Sequence, residues 1–233
     1  MRYAIGDIHG CYQSLQKLVE DKIKPGIHDR IIFLGDYIDR GPNSKAVVDY
    51  IFSLQAQGLN CFFLRGNHEE MLLESANHAA MYRTWIMNGG HTTLKNFGID
   101  HHNRLKQKSI QHIPEKHLSF FRNTQYYIDT EEDYFFVHAA LNFKIRNPLD
   151  DKRAMVWKRE VSYKKKFFGK KKLVYGHTPV PLEYIRHQIE SGSDTINLDA
   201  GCVYNNIDKL GNLVALNLDN MELLVQPNIE KPY

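Results

Sequence analysis

Short unbroken apolar runs punctuate the first three quarters of the chain: YAI (3–5), IIFL (31–34), CFFL (61–64), YFFV (134–137) and LVY (173–175). Runs of this length, bounded by glycine and charge, read as strands buried on both faces. Between the first three the apolar spacing becomes helical, through Leu15, Leu18 and Val19, then Val47, Val48, Ile51 and Phe52. Asn43 or Ser44 caps the second of these segments and Gly58 stops it. Strand, helix, strand, helix, strand predicts a mainly parallel central sheet in an α/β fold. Residues 69–125 read as helical or irregular, with no strand signal. INLD, LVALNLD and MELLVQ near the end predict a second, more antiparallel sheet packed on the first. No repeat, linker or low-complexity tract divides the chain, so residues 1–233 read as a single domain.

The segments just beyond these apolar runs are more regular still. Gly6-Asp7-Ile8-His9-Gly10, Gly35-Asp36 to Gly41, Arg65-Gly66-Asn67-His68-Glu69, His138-Ala139 and Gly176-His177-Thr178 all begin at or just past a strand end. In a parallel α/β sheet the loops beyond the strands' carboxyl ends share one crevice, so distant residues become neighbours there. Asp36, Asp39 and Arg40 fall within five positions of one such loop. Carboxylates that close repel unless something positive lies between them, and one arginine neutralises only one.

A metal centre resolves the conflict. Asp7, His9, Asp36, Asn67, His138 and His177 form an oxygen and imidazole donor set without thiolate, which suits manganese, iron or zinc better than calcium or copper; ligand type does not rank the three, and manganese is the first expectation. Six ligands suit two divalent ions bridged by one carboxylate, and Asp36 is the natural bridge. After two carboxylates such a centre is still cationic, and Arg40 and Arg65 add guanidiniums that match phosphate oxygens. Asn67 faces the same phosphate. His68, beside Asn67, protonates the leaving oxygen, with Asp39 orienting its ring.

Bulk composition changes this picture little. The chain is 42% hydrophobic and 24% charged with a net charge of +3, which suits a folded domain and argues against a general polyanion binder. Three cysteines, Cys11, Cys61 and Cys202, without a CxxC pair fit buried thiols in a reducing compartment. No apolar run approaches the ~18 residues of a membrane span. MRYAIGDIHG turns polar too early for a signal peptide, so the expected location is cytoplasmic, with no membrane partner. KKKFFGKKK (164–172) reads as a solvated loop. His91, His101, His102, His112 and His117 read as surface residues, and Trp85 to Gly90 as a helix end with a packed indole or as a wall of the cleft.

Taken in order, GDIHG, GDYIDRG, RGNHE, a histidine after the fourth strand and GHT resemble the phosphoprotein phosphatase family within the calcineurin-like metallophosphoesterases. The motifs span residues 6–178, and the later INLDAGC is similar as well. The resemblance implies a sandwich of two mixed β-sheets flanked by helices, with a dinuclear centre between them. It implies Asp7, His9 and Asp36 on the first metal and Asp36, Asn67, His138 and His177 on the second. It further implies His68 as acid with Asp39 as its partner, and Arg40 and Arg65 on phosphate. Arg159, in MVWKRE, falls where related bacterial enzymes carry another phosphate-binding arginine.

The compact length leans toward a serine/threonine protein phosphatase, a phosphoester hydrolase that uses a metal-bridging hydroxide on a phosphorylated protein. The alternative is a bis(5'-nucleosyl)-tetraphosphatase acting on dinucleoside polyphosphates. A nuclease would need a lysine-lined groove, and the modest net charge argues against specific nucleic-acid binding. A non-catalytic scaffold of the same fold should lack ligands, and this sequence lacks none.

Overall fold

The computed structural model describes residues 1–99, 106–130 and 133–231. His101 and His102 lie outside the described residues.

Five strands form the first sheet: β1 (Arg2–Ile5), β2 (Arg30–Phe33), β3 (Asn60–Phe63), and the carboxy-terminal β8 (Asn212–Asn217) and β9 (Leu223–Pro227), in the order β3-β2-β1-β8-β9. β1, β2 and β3 run parallel, whereas β8 is antiparallel to β1 and β9 to β8. The second sheet holds β4 (Tyr127–Asp129), β5 (Tyr134–Val137), β6 (Lys172–Tyr175) and β7 (Thr195–Asn197) in that order. Only β4 is antiparallel to its neighbour. This corrects the sequence expectation for the last forty residues. INLD joins the second sheet, but LVALNLD and MELLVQ extend the first one, and the second sheet is mainly parallel. Apolar alternation identifies these runs as strands without saying which edge they will pair with.

Helices cover both outer faces. They are α1 (Tyr12–Lys17), α2 (Ser44–Ala56), α3 (Asn67–Ser75), α4 (Ala79–Trp85), α5 (His91–Asn96), α6 (Glu115–Asn123), α7 (Lys152–Trp157), α8 (Lys165–Phe168) and α9 (Leu182–Glu190), with a π-helical continuation of α1 over Leu18–Ile23. α2 starts where the sequence predicts, behind Asn43, and Gly58 ends it in the left-handed region at φ 81°. The lysine-rich stretch is more structured than a loop, since α8 buries Phe168 against Phe135 and Tyr163.

The unbroken apolar strands follow from the layering. Tyr3, Ile5, Ile31 and Phe33 pack against the helices on one side, while Ala4, Ile32 and Leu34 meet Tyr134, Phe136 and Val174 between the sheets. Phe135, Val137 and Leu173 then face α7 and α8. With both faces of each sheet buried, period-two alternation of polarity disappears. His117 departs from its expected surface position. It is fully buried, its ring beside Phe52 and Phe97 and its Nε2 3.0 Å from Asp49 Oδ1. The partial burial of Asp49 next to this imidazole has no signature in sequence.

Candidate metal centre and active site

The loops beyond β1, β2, β3, β5 and β6 meet at one end of the sandwich. Ile8 and His9 donate their amides to the Asp36 carbonyl at 3.2 and 2.8 Å, joining the first two loops. Two bonds then cross between the sheets. His138 Nδ1 donates to the Leu34 carbonyl at 2.8 Å, and the His177 amide donates to Asp7 Oδ2 at 2.9 Å. Asp7, His9, Asp36, Asn67, His138 and His177 are thereby brought together, all of them largely buried except His177, which is partly exposed.

Asp36 sits at the centre of two groups. Ligand atoms of His9, Asp36 and His68 lie within 4.8 Å of one another, as do those of Asp36, His138 and His177. The same oxygen, Asp36 Oδ2, is 3.4 Å from His9 Nε2 and 3.5 Å from His138 Nε2. His68 therefore stands as close to the first group as an expected ligand, with its ring edge-on to His9 at 4.7 Å.

The donor set fits cations on several counts. His138 has already donated through Nδ1. Its Nε2 lone pair then faces Asn67 Oδ1 at 3.2 Å, while His177 Nδ1 lies 3.0 Å from the same oxygen. A cation between Asn67 and His138 would satisfy that meeting of two acceptors. Asp7 Oδ1 is buried with no hydrogen-bond partner. His9 donates through Nδ1 to the Ile38 carbonyl, so its Nε2 lone pair points inward, where it accepts from the Arg40 guanidinium at 2.7 Å.

Electrostatics agree. Burial lowers the basicity of His9, with Arg40 adding to it, and burial likewise lowers that of His138. Burial, His138 and Arg159 bring His177 down to about 3. Neutral imidazoles keep a lone pair free for coordination. Burial, Asp199 and Asp36 push the Asp7 carboxyl well up, whereas the imidazoles around Asp36, His138 first, overcome its burial and hold it below the ordinary range. Burial followed by Asp36 takes Asp199 up to about 7. Buried carboxylates crowded this closely call for positive charge among them.

The local backbone is strained where the chemistry is. His9, Asp36, Asp39, Arg40 and His177 all have positive φ, between 46° and 73°. Each such residue costs on the order of 1 kcal/mol and persists only where its surroundings over-determine it. Glu69 supplies part of that constraint. Its carboxylate accepts the amides of Asp36 and Tyr37, both at 2.9 Å, and of Gly66 at 3.0 Å. Burial, then Asp36 and Asp39, push it up to about 8. Gly66 is required by contact as well, since a β-carbon there would overlap Asp36 Oδ1.

His68 is fully buried, and its Nδ1 is 2.7 Å from Asp39 Oδ2, leaving Nε2 without a partner. The sequence misses what holds Asp39. The Trp85 indole donates to Asp39 Oδ2 at 2.7 Å, and the Thr93 hydroxyl donates to Oδ1 at 2.6 Å. A buried indole needs an acceptor, which was a usable hint for Trp85; nothing marks Thr93. Trp85→Phe should keep the packing but lose the indole bond. Turnover is expected to fall about 10- to 100-fold with metal content unchanged, checked by steady-state rates beside elemental analysis.

Arg40 reaches into the site as far as His9 Nε2, and Arg159 lies at its edge. Arg40 packs over the Tyr204 ring at 5.5 Å, and Arg159 is exposed within electrostatic reach of His177. Arg65 departs from the expected phosphate position. Its donors go to Thr124 Oγ1, Glu70 Oε2, Tyr126 Oη and the carbonyls of Phe121 and Arg122. The side chain is 11% exposed, so it acts here as a structural brace. Arg65→Ala is expected to cost about 3 kcal/mol by removing these hydrogen bonds and stranding the partly buried Glu70. That is a fall of roughly 6 to 12 °C in Tm for a chain of this size, measurable by calorimetry.

The calcineurin-like phosphoesterase family model matches residues 3–210. Bis(5'-nucleosyl)-tetraphosphatase PrpE (asymmetrical) of Oceanobacillus iheyensis is 26% identical over 231 residues, covering 87% of this chain and 84% of that protein. The protein of the same name from Bacillus mycoides is 26% identical over 260 residues, covering 98% and 95%. Among solved structures, a protein serine/threonine phosphatase from Saccharomyces cerevisiae superposes with a TM-score of 0.63 at 15% identity, covering 99% of this chain and 81% of that one. Two stacked sheets whose loops meet at a shared carboxylate, in a chain matched over nearly its whole length, make this protein a member of the calcineurin-like phosphoesterases, a metal-dependent phosphoester hydrolase.

Proposed function

We propose that the protein hydrolyses a dinucleoside polyphosphate at a phosphoanhydride, with Asp7, His9, Asp36, Asn67, His138 and His177 holding two divalent ions. Manganese is the first choice, ahead of iron or zinc. The observation that carries the reading is Asp36 Oδ2, shared between the two ligand groups at 3.4 and 3.5 Å. The substrate class is supported by relatives of nearly equal length named as tetraphosphatases. The phosphoprotein substrate that the sequence ranks first has support only from fold likeness at 15% identity, which carries no substrate information.

Divalent cations in such a site polarise phosphoryl oxygens and make water ionisable near neutral pH. The chain's own groups do the rest. Arg40, and Arg159 at the rim, pair with phosphate oxygens. His68 gives its Nε2 proton to the departing phosphate oxygen, while Asp39, held by Trp85 and Thr93, stabilises the charged ring. Water adds its oxygen to phosphorus as the bridging P–O bond breaks. An asymmetrical cut of diadenosine tetraphosphate yields one ATP and one AMP. No helix among the described residues is long and apolar enough to cross a membrane.

The test is to incubate the manganese-loaded protein with diadenosine tetraphosphate, a phosphoserine peptide and a phosphotyrosine peptide, and to separate the products. Preferential release of ATP and AMP supports the reading. Preference for either peptide overturns it. Chelation is expected to abolish turnover and added manganese to restore it, which activity assays before and after dialysis check.

A further inference from the structure

Resting on the dinucleoside reading, we propose that the cavity between α3, α4 and α7 is a nucleoside subsite that holds one end of the substrate. The cavity measures about 560 Å³, within the ~300–1,000 Å³ range of small-molecule sites.

Both of its long walls begin at proposed metal ligands. Asn67 opens α3, and Glu70 and Glu74, three and seven residues on, continue the same helical face along the cavity. On the opposite wall, the Trp157 indole lies edge-on to the His177 ring at 6.4 Å while lining the cavity. A phosphate chain anchored at the centre therefore leads along these walls into the cavity.

The lining has the chemistry of a nucleotide site. Trp157 and Tyr126 are partly exposed aromatic plates, and stacking on such plates is tolerant of base identity. Exposed Lys152 and Arg153, in the first turn of α7 at the end away from Trp157, add positive charge that draws an anionic substrate into the cavity. Lys152 Nζ lies over the Tyr126 ring at 5.1 Å and can move aside for a base. Glu70 is neutralised by Arg65 at 3.0 Å and accepts from the Tyr126 hydroxyl at 3.0 Å, so Arg65 fixes the aromatic plate. Glu74 is left to accept from ribose hydroxyls or a base amine. A phosphopeptide calls for an open groove rather than a cavity of this size.

Two variants test it. Thr84→Trp fills the cavity from an exposed position on α4, and Trp157→Ala removes the plate, with Trp157→Phe as the conservative control. Each is assayed on diadenosine tetraphosphate and on p-nitrophenyl phosphate, which has no nucleoside, and AMP is titrated as an inhibitor of the aryl phosphate reaction. In Thr84→Trp and Trp157→Ala, KM for diadenosine tetraphosphate should rise about 10- to 100-fold relative to that for the aryl phosphate. Inhibition by AMP should weaken equally, and Trp157→Phe should recover most of both. If the two substrates lose activity in parallel, or AMP inhibits all forms alike, the subsite is refuted and the tetraphosphatase reading stands. If the wild type leaves diadenosine tetraphosphate uncut while AMP inhibition still weakens in Thr84→Trp, the tetraphosphatase reading falls and the nucleoside subsite stands.

Discussion

Asp36→Asn is expected to strip both ions from the protein and abolish turnover. Asp36 Oδ2 faces His9 on one side and His138 on the other, so a neutral amide there removes a charged ligand from both groups at once. The fold should survive, because the asparagine oxygen can still accept the His68 amide that Asp36 Oδ1 accepts at 3.1 Å. Metal catalysis contributes several kcal/mol of transition-state stabilisation, which sets the loss at about 10³-fold or more. Elemental analysis and circular dichroism on the same sample separate metal loss from unfolding. A folded variant that keeps two equivalents of metal and its turnover refutes the shared carboxylate.

His68→Asn should do the opposite with metal: keep it, and lose rate. The ring is fully buried against Asp39, and its Nε2 has no other partner to serve. Losing a general acid costs about 10²- to 10⁴-fold when the leaving oxygen is basic, and less as that oxygen becomes a better leaving group. A serine alkoxide needs the proton far more than a nucleoside phosphate does. The ratio of the losses on a phosphoserine peptide and on diadenosine tetraphosphate therefore reports how much the acid matters for each substrate. Equal losses on both substrates, or a loss of metal, would place His68 among the ligands instead.

The site was more legible in the sequence than the sheets that carry it. Asp7, His9, Asp36, Asn67, His138 and His177 each stand beside a short apolar run and a turn, and that local grammar survives in one dimension. Asp39's supporters are invisible there, because Trp85 and Thr93 reach it from helices 46 and 54 residues away along the chain. Arg65 misleads for a related reason. A guanidinium beside a ligand loop reads as a phosphate anchor, but its partners Thr124 and Tyr126 come from a segment whose proximity only the fold reveals. The sheet membership of LVALNLD and MELLVQ is of the same kind, since alternation fixes a strand's faces and leaves its neighbours open.

That membership has a practical consequence. β1 delivers Asp7 and His9, and one of its two flanks is secured by β8, through Tyr3 opposite Asn217, Ile5 opposite Ala215 and the Gly6 amide on the Val214 carbonyl at 3.1 Å. A nonsense codon between residues 205 and 212 would delete no ligand at all. It would nevertheless leave that strand with a bare hydrogen-bonding edge, open to aggregation. The tail of the chain thus safeguards the two residues at its head.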